Sequence, residues 1–299
     1  MLQYSLTPKP WGYIGKFSAM ASPCELLIES RDEAVANAMM HLSCKEAARI
    51  EQKYSRFIEG NLLWLINHSQ GKAIDIDIDI ETANLLQFAQ HCYQMSEGRF
   101  DITAGPLISQ WRFDDKSQPP TETALEQARQ FVGFSRVEFN QTQLTMPKGM
   151  TLDFGGIGKE YAADRVAQQL ASMWQEIAVL VNFGGDIACP IAKADDNSPW
   201  QVGIENPQAL NHAAAMISIR QGGLATSGDT RRFIEHRGRR FGHIINPKDG
   251  YPVEGAPRSV TVLANNCTTA GMLATMAMLE GVDAEHFLNQ QQVEFKVFR

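Results

Sequence analysis

A chain of 299 residues, 44% of them apolar, is long enough to bury a substantial core. The net charge of −7 argues against a nucleic-acid surface, since Lys and Arg gather only at Arg231-Arg232 and Arg239-Arg240. Cysteines at positions 24, 44, 92, 189 and 267 form no CxxC pair and are odd in number, which shows no disulfide framework and suits scattered core thiols in a reducing compartment.

Residues 1–20 are broken by Pro8, Lys9, Pro10 and Lys16 and lack the unbroken apolar stretch of a signal peptide. Cys24 follows Ala21-Ser22-Pro23 as at a lipoprotein cleavage site, but no hydrophobic region precedes it. With no run of about 18 apolar residues either, the chain reads as a soluble, cytoplasmic protein. Residues 11–29 predict a hairpin carrying Tyr13, Phe17, Met20 and Leu26-Leu27-Ile28. Residues 31–53 predict a helix, with Ala34, Ala38, Leu42, Ala47 and Ile50 at helical spacing, and Tyr54-Ser55-Arg56-Phe57 a loop. In residues 73–80 Ile alternates with Asp75, Asp77 and Asp79, a strand with one buried face and a solvated one that blocks edge pairing rather than a calcium site.

A helix is expected over 81–95, a turn-rich segment over 100–113 and a surface loop over 114–121. Short strands are expected at 177–182, 186–191, 200–204, 214–219, 233–236, 241–245 and 260–263. Helices over 268–279 and 284–290 and an edge strand over 293–298 close the chain. Without repeats or a linker, residues 1–299 read as one mixed α/β domain, with the possibility of two interlocked lobes.

The chemistry centres on Thr151-Leu-Asp153-Phe-Gly155-Gly156-Ile-Gly158-Lys159-Glu160-Tyr161. An apolar run ending at Asp153 reads as a strand, three glycines allow a tight turn, and residues 157–173 read as an amphipathic helix. Free N–H groups and the positive end of the helix dipole then face one point, where Lys159 adds a full charge. A Walker A loop would need Gly at 153 and Ser or Thr at 160, and a dinucleotide fingerprint would need Gly or Ala at 161; the residues present exclude both. Further bends occur at Gly98-Arg99-Phe100-Asp101, Asn182-Phe-Gly184-Gly185-Asp186, Thr226-Ser227-Gly228-Asp229 and His243-Ile244-Ile245-Asn246-Pro247.

Taken in order, these segments resemble the ApbE family of FAD:protein FMN transferases from about Phe17 to Gly281. The resemblance implies a mixed α/β fold with FAD in a cleft between lobes. It also implies transfer of FMN from FAD to a Thr or Ser hydroxyl of a target flavoprotein, with release of AMP. Met20 and Phe57 match positions that pack on the flavin or adenine; Arg99, Phe100, Asp101, Asp153, Lys159, His243 and Ile244 match further FAD contacts. Lys159 and the glycine turn suit the charge that develops as a pyrophosphate is split. His243 either takes the proton of the incoming hydroxyl or only holds the cofactor, and its residue type leaves both open.

For magnesium the resemblance implies contacts at Gly156, Ala274 and Thr275. The family's usual aspartate is replaced by Gly271. Phosphates and water could make up the loss, Asp186 or Asp229 could substitute, or the reaction could proceed without a protein-held metal. Glu160, where many relatives have glycine, reads as solvent-facing. No acceptor pattern occurs in the chain itself, so it modifies a partner, one in the cytoplasm. A non-catalytic FAD-binding protein, or a pyrophosphatase giving FMN and AMP, are the alternatives.

Overall fold

In the computed structural model, which describes residues 3–69, 76–113, 117–195 and 198–299, the N-terminal apolar runs form β1 (Ser5–Lys9), β2 (Gly12–Ala19) and β3 (Ser22–Ile28), joined as antiparallel neighbours. Helix α1 (Glu33–Tyr54) starts where Asp32 Oδ1 accepts the N–H of Ala34 at 2.8 Å, and buries Ala36, Met39, Met40, Ala47 and Ile50 on one face. Helix α2 (Leu62–Asn67) is capped in the same way by Asn61.

The alternating Ile/Asp stretch differs from its reading. Its residues before 76 lie outside the described ones, β4 (Ile76–Asp77) is two residues long, and α3 (Ile80–Met95) begins at once. Asp79 caps α3 by accepting from the Thr82 N–H at 3.0 Å, and Ile80 is left 56% exposed at the first helical position. The cap outweighs the period-two pattern because it serves an otherwise unsatisfied helical N–H. Short helices α4 (Gly105–Ile108) and α5 (Glu122–Arg129) follow, α5 falling just after the expected loop, of which residues 114–116 are not described. Strands β5 (Glu138–Phe139) and β6 (Gln143–Thr145) make a small antiparallel sheet with β4.

The run ending at Asp153 joins no sheet. Asn67 brackets Leu152, donating to its carbonyl at 2.9 Å and accepting its N–H at 2.7 Å, and the Asp153 N–H reaches the Ile102 carbonyl at 2.8 Å. Side chain and loop thus serve the backbone groups a ladder would have served. Helix α6 (Gly158–Met173), β7 (Val179–Phe183) and β8 (Asp186–Ile191) follow as expected. Next come β9 (Trp200–Asn206) and β10 (Ala209–Ile219), then β11 (Gly222–Gly228), a strand whose residues 226–228 the composition predicts to be a bend. Hairpin β12 (Phe233–His236) and β13 (Arg239–Gly242), then β14 (Ser259–Ala264), α7 (Cys267–Glu280), α8 (Ala284–Gln290) and β15 (Glu294–Phe298), complete the chain.

Eight strands form one antiparallel sheet in the order β1-β2-β3-β7-β8-β11-β14-β15. Val179, Val181, Phe183, Ala188, Ala225, Val260 and Val262 point into the core shared with α1, α6 and α7. Their neighbours Leu180, Ile187, Cys189 and Leu224 point to the opposite face, which Trp200 and Ile219 of the β9–β10 hairpin cover. The central strands are therefore buried on both sides. All five cysteines are free and buried, and among the described residues no helix is long and apolar enough to cross a membrane.

Candidate functional site

Helix α6 begins without a side-chain cap; the Gly158 N–H donates to the Phe154 carbonyl at 2.7 Å, and the positive end of the helix dipole faces the Gly155–Gly158 turn. Asp153 shapes that turn by accepting the Gly155 N–H at 2.8 Å, and a Cβ on Gly155 would sit 3.0 Å from the same carboxyl oxygen. Its other oxygen faces Arg56 Nε at 3.2 Å. The Arg56 guanidinium lies 4.5 Å from the centre of the Phe57 ring, and Phe57 is 81% exposed. An aromatic ring so exposed beside an anion-binding turn is a surface on which a planar group can stack.

From α6, Lys159 reaches Asp186 at the start of β8, with Nζ 2.5 Å from Oδ2. Burial works against the charge on Lys159, but Asp186 more than offsets it, so the amine titrates above its ordinary value. The tip of the β2–β3 hairpin closes on the same point. Met20 and Ala21 both adopt the left-handed backbone, at φ +52° and +54°, as a two-residue hairpin turn demands. The Gly184 N–H donates to the Pro23 carbonyl at 2.9 Å. A Cβ on Gly184 would stand 2.9 Å from Ser22 Oγ and 3.5 Å from Lys159 Nζ, so only glycine lets the β7–β8 turn pass between hairpin and lysine.

From this turn a cleft of ≈ 460 Å³ runs between the sheet and the β9–β10 hairpin, lined by Asn182, Gly184, Gly185, Thr226, Arg232 and His243 among others. His243 Nδ1 lies 3.3 Å from the Arg232 carbonyl, and the ring meets Phe113 edge-on, with centres 6.3 Å apart. A carbonyl only accepts, so Nδ1 carries the proton and Nε2 keeps a lone pair. Burial, then the Arg232 charge, push the imidazole pKa below 6.5, leaving it neutral at pH 7. Ile244 packs on the main core.

Other expected contacts are committed elsewhere. Arg99 pairs with Glu280 at the far end of α7, at 2.7 Å. Asp101 accepts from the Thr103 N–H and hydroxyl and from the Phe134 N–H, at 2.7, 2.6 and 3.1 Å, which makes it the brace of its own loop. Phe100, only 6% exposed, backs the glycine turn: a Cβ on Gly156 would lie 3.4 Å from its ring. Ala274 is fully buried within α7, and Thr275 donates to Ser227 Oγ at 3.3 Å. Asp229 is held by Arg240 and Arg258 at 3.0 and 2.8 Å, so it is no free substitute for a missing acid.

Glu160 corrects the sequence reading: its carboxyl points inward, not to solvent. Oε2 is buried without a hydrogen-bond partner, and a Cβ on Gly271 would lie 2.6 Å from Glu160 Cγ and 2.9 Å from Oε1. Burial, then Asp186, push its pKa up from the ordinary carboxylate value. The sequence held a signal for this, since Glu160 falls in register with Ala163, Ala167 and Leu170, the buried stripe of α6. From the same helix Asp164 caps α7, accepting from the N–H groups of Cys267 and Thr268 at 2.9 and 2.8 Å and thereby fixing where Gly271 and Thr275 stand. Among the described residues no three His, Cys, Asp or Glu side chains gather as a metal cage. Magnesium asks for less, one or two carboxylates with phosphate and water oxygens, and an unpartnered buried carboxyl oxygen with a hydroxyl pair one turn along α7 fits that demand.

An uncapped helix N-terminus and the Lys159 amine beside the Gly184 turn, with a neutral imidazole on the wall of the adjoining cleft, are the groups that a phosphate-bearing ligand and a proton transfer call for. The sequence model of the ApbE family matches residues 20–298, and the chain belongs to that family. The FAD:protein FMN transferase of Haemophilus influenzae is 31% identical over 244 residues, which span 78% of this chain and 70% of its own. That of Vibrio cholerae is 33% identical over 211 residues, spanning 68% and 62%. Among solved structures, the ApbE protein of Thermotoga maritima superposes with a TM-score of 0.83 at 26% identity, over 99% of this chain and 94% of its own. The flavin transferase ApbE from Vibrio cholerae shares the fold at a TM-score of 0.81 and 24% identity, over 99% and 93%.

Proposed function

We propose that this chain is a FAD:protein FMN transferase. The observation that carries the reading is the convergence of the α6 glycine turn, Lys159 and the Gly184–Gly185 turn at one end of a cleft that has neutral His243 on its wall. The diphosphate of FAD sits at the glycine turn, where helical N–H groups and Lys159 meet its charge. Met20 and Phe57 flank the flavin or adenine ring. Asp153 and Ile244 shape the walls, and the 99–101 segment backs the turn through Phe100, braced by Arg99 and Asp101.

A Thr or Ser hydroxyl of the partner attacks the phosphorus on the riboflavin side. The new P–O bond forms, the anhydride P–O bond breaks, and AMP leaves with the electron pair. The hydroxyl proton passes to His243 Nε2, which is unprotonated at neutral pH. Bound magnesium would screen charge on the diphosphate. In this chain the backbone at Gly156 and Ala274 and the Thr275 hydroxyl would hold it. Five buried, unpaired thiols suit a reducing compartment, and we place enzyme and target flavoprotein in the cytoplasm.

Chromatography of the nucleotides tests the reading. With FAD and an acceptor peptide carrying Asp, then Ser or Thr three residues later, then Gly-Ala, AMP is expected in step with peptide consumed and without free FMN. Equal amounts of free FMN and AMP without peptide would make the protein a pyrophosphatase, and bound, intact FAD would make it a carrier.

A further inference from the structure

The carboxyl of Glu160 has no use that packing explains. It hangs from the first turn of α6, beside the glycine turn, with Oε2 buried and unpartnered. The cation next to it, Lys159, pairs with Asp186 at 2.5 Å and makes no hydrogen bond to that oxygen. The face it touches is kept clear by Gly271, where any Cβ would come within 2.6 Å of its Cγ. One turn along α7, on the same side, Thr275 meets Ser227. A buried carboxyl oxygen that no donor meets, near a second acid and facing a helix that carries hydroxyls one turn further on, is a poor structural element and a good cation ligand.

We propose that Glu160 is the carboxylate ligand of a divalent cation held between the start of α6 and the Gly271–Thr275 face of α7. The acid comes from α6 and the space for it from α7, so glycine at 271 is the partner of Glu160 and not the loss of a site. The proposal rests on the reading that this pocket receives the diphosphate of FAD, whose oxygens complete the coordination. It also makes Gly271→Asp unfavourable while Glu160 is in place. Alone, that substitution drives a side chain into Glu160; with Glu160→Gly it supplies the same carboxyl from the opposite helix.

Manganese(II) titration of the full chain, followed by the EPR signal of the free ion with magnesium as competitor, tests this with and without FAD. Fluorescence quenching of FAD in chelator, run separately, shows whether each variant is folded and whether the pocket takes FAD at all. Glu160→Gln, the same shape without charge, is expected to weaken Mn²⁺ binding by at least about tenfold while FAD binding in chelator persists. The exchange Glu160→Gly with Gly271→Asp is expected to bring Mn²⁺ affinity back above that of Glu160→Gly alone. Equal Mn²⁺ affinity in wild type and Glu160→Gln, or no saturable Mn²⁺ binding by wild type, overturns the proposal. Absence of FAD binding by wild type overturns the transferase reading instead, and the FAD-free titration still judges Glu160.

Discussion

His243 owes its usefulness to what surrounds it. Burial lowers its pKa, the Arg232 carbonyl takes up Nδ1–H, and Nε2 is left able to receive a proton at neutral pH. The sign follows directly: the active form is the unprotonated one, so kcat/KM should rise with pH through a value below 6.5 and then level off. His243→Asn should remove that limb from the profile and lower kcat by roughly 10²–10⁴-fold. Steady-state rates between pH 5 and 9 check both, and an unchanged acid limb in the variant would assign the base elsewhere. Lys159 and His243 were legible in the sequence because their segments carry distinctive glycines and prolines. Glu160 was not, because an acid in the first turn of a helix is favoured by the dipole whichever way it faces, and its type does not mark it as inward.

Helix α6 is aimed by a network of charges behind the site. Arg49 of α1 grips Glu46 and Glu81, Lys53 pairs with Glu81 and Asp79, and Tyr161, one residue past Glu160, donates to Glu81 at 2.8 Å. Burial by itself would raise the pKa of Glu81; the bonds from Arg49, Lys53 and Tyr161 overcome it and hold the carboxyl down to about 2. A folded value below the unfolded one, about 4.3, means the stabilisation is complete above the unfolded value. It drains away as pH falls through the interval between the two. Glu81→Gln should therefore cost about 1–3 kcal/mol at pH 7 and flatten stability across that acid interval; urea denaturation at several pH values measures it. Elements with one buried face were readable, as α1 and the β2–β3 hairpin show. Strand β11 was not, because Gly222, Gly223, Thr226, Ser227 and Gly228 have turn composition and its few apolar side chains divide between two cores. The strand expected before Asp153 failed for the opposite reason: an apolar stretch whose partners are Asn67 and a loop has no signature of its own.

At the scale of the molecule, helices on one face of the sheet and a hairpin on the other bring distant stretches together: the Gly184 turn and His243 line one cleft, and Lys159, just after the α6 glycine turn, meets the Gly184 turn and Ser22 of the β2–β3 tip at its end. No local rule contains that meeting, which comes from the order of strands, β3 beside β7 and β8 beside β11. The resemblance to ApbE-family segments anticipated the chemistry, and the structure supplied what surrounds it: the scaffold roles of Arg99 and Asp101 and the pairing of Asp229 with two arginines. The most direct measurement is the intact mass of an acceptor flavoprotein after incubation with this protein, FAD and magnesium. A gain of one FMN esterified at a single Thr or Ser, lost when that residue is changed to Ala, is the expected result; an acceptor of unaltered mass, while FAD remains intact, would contradict it.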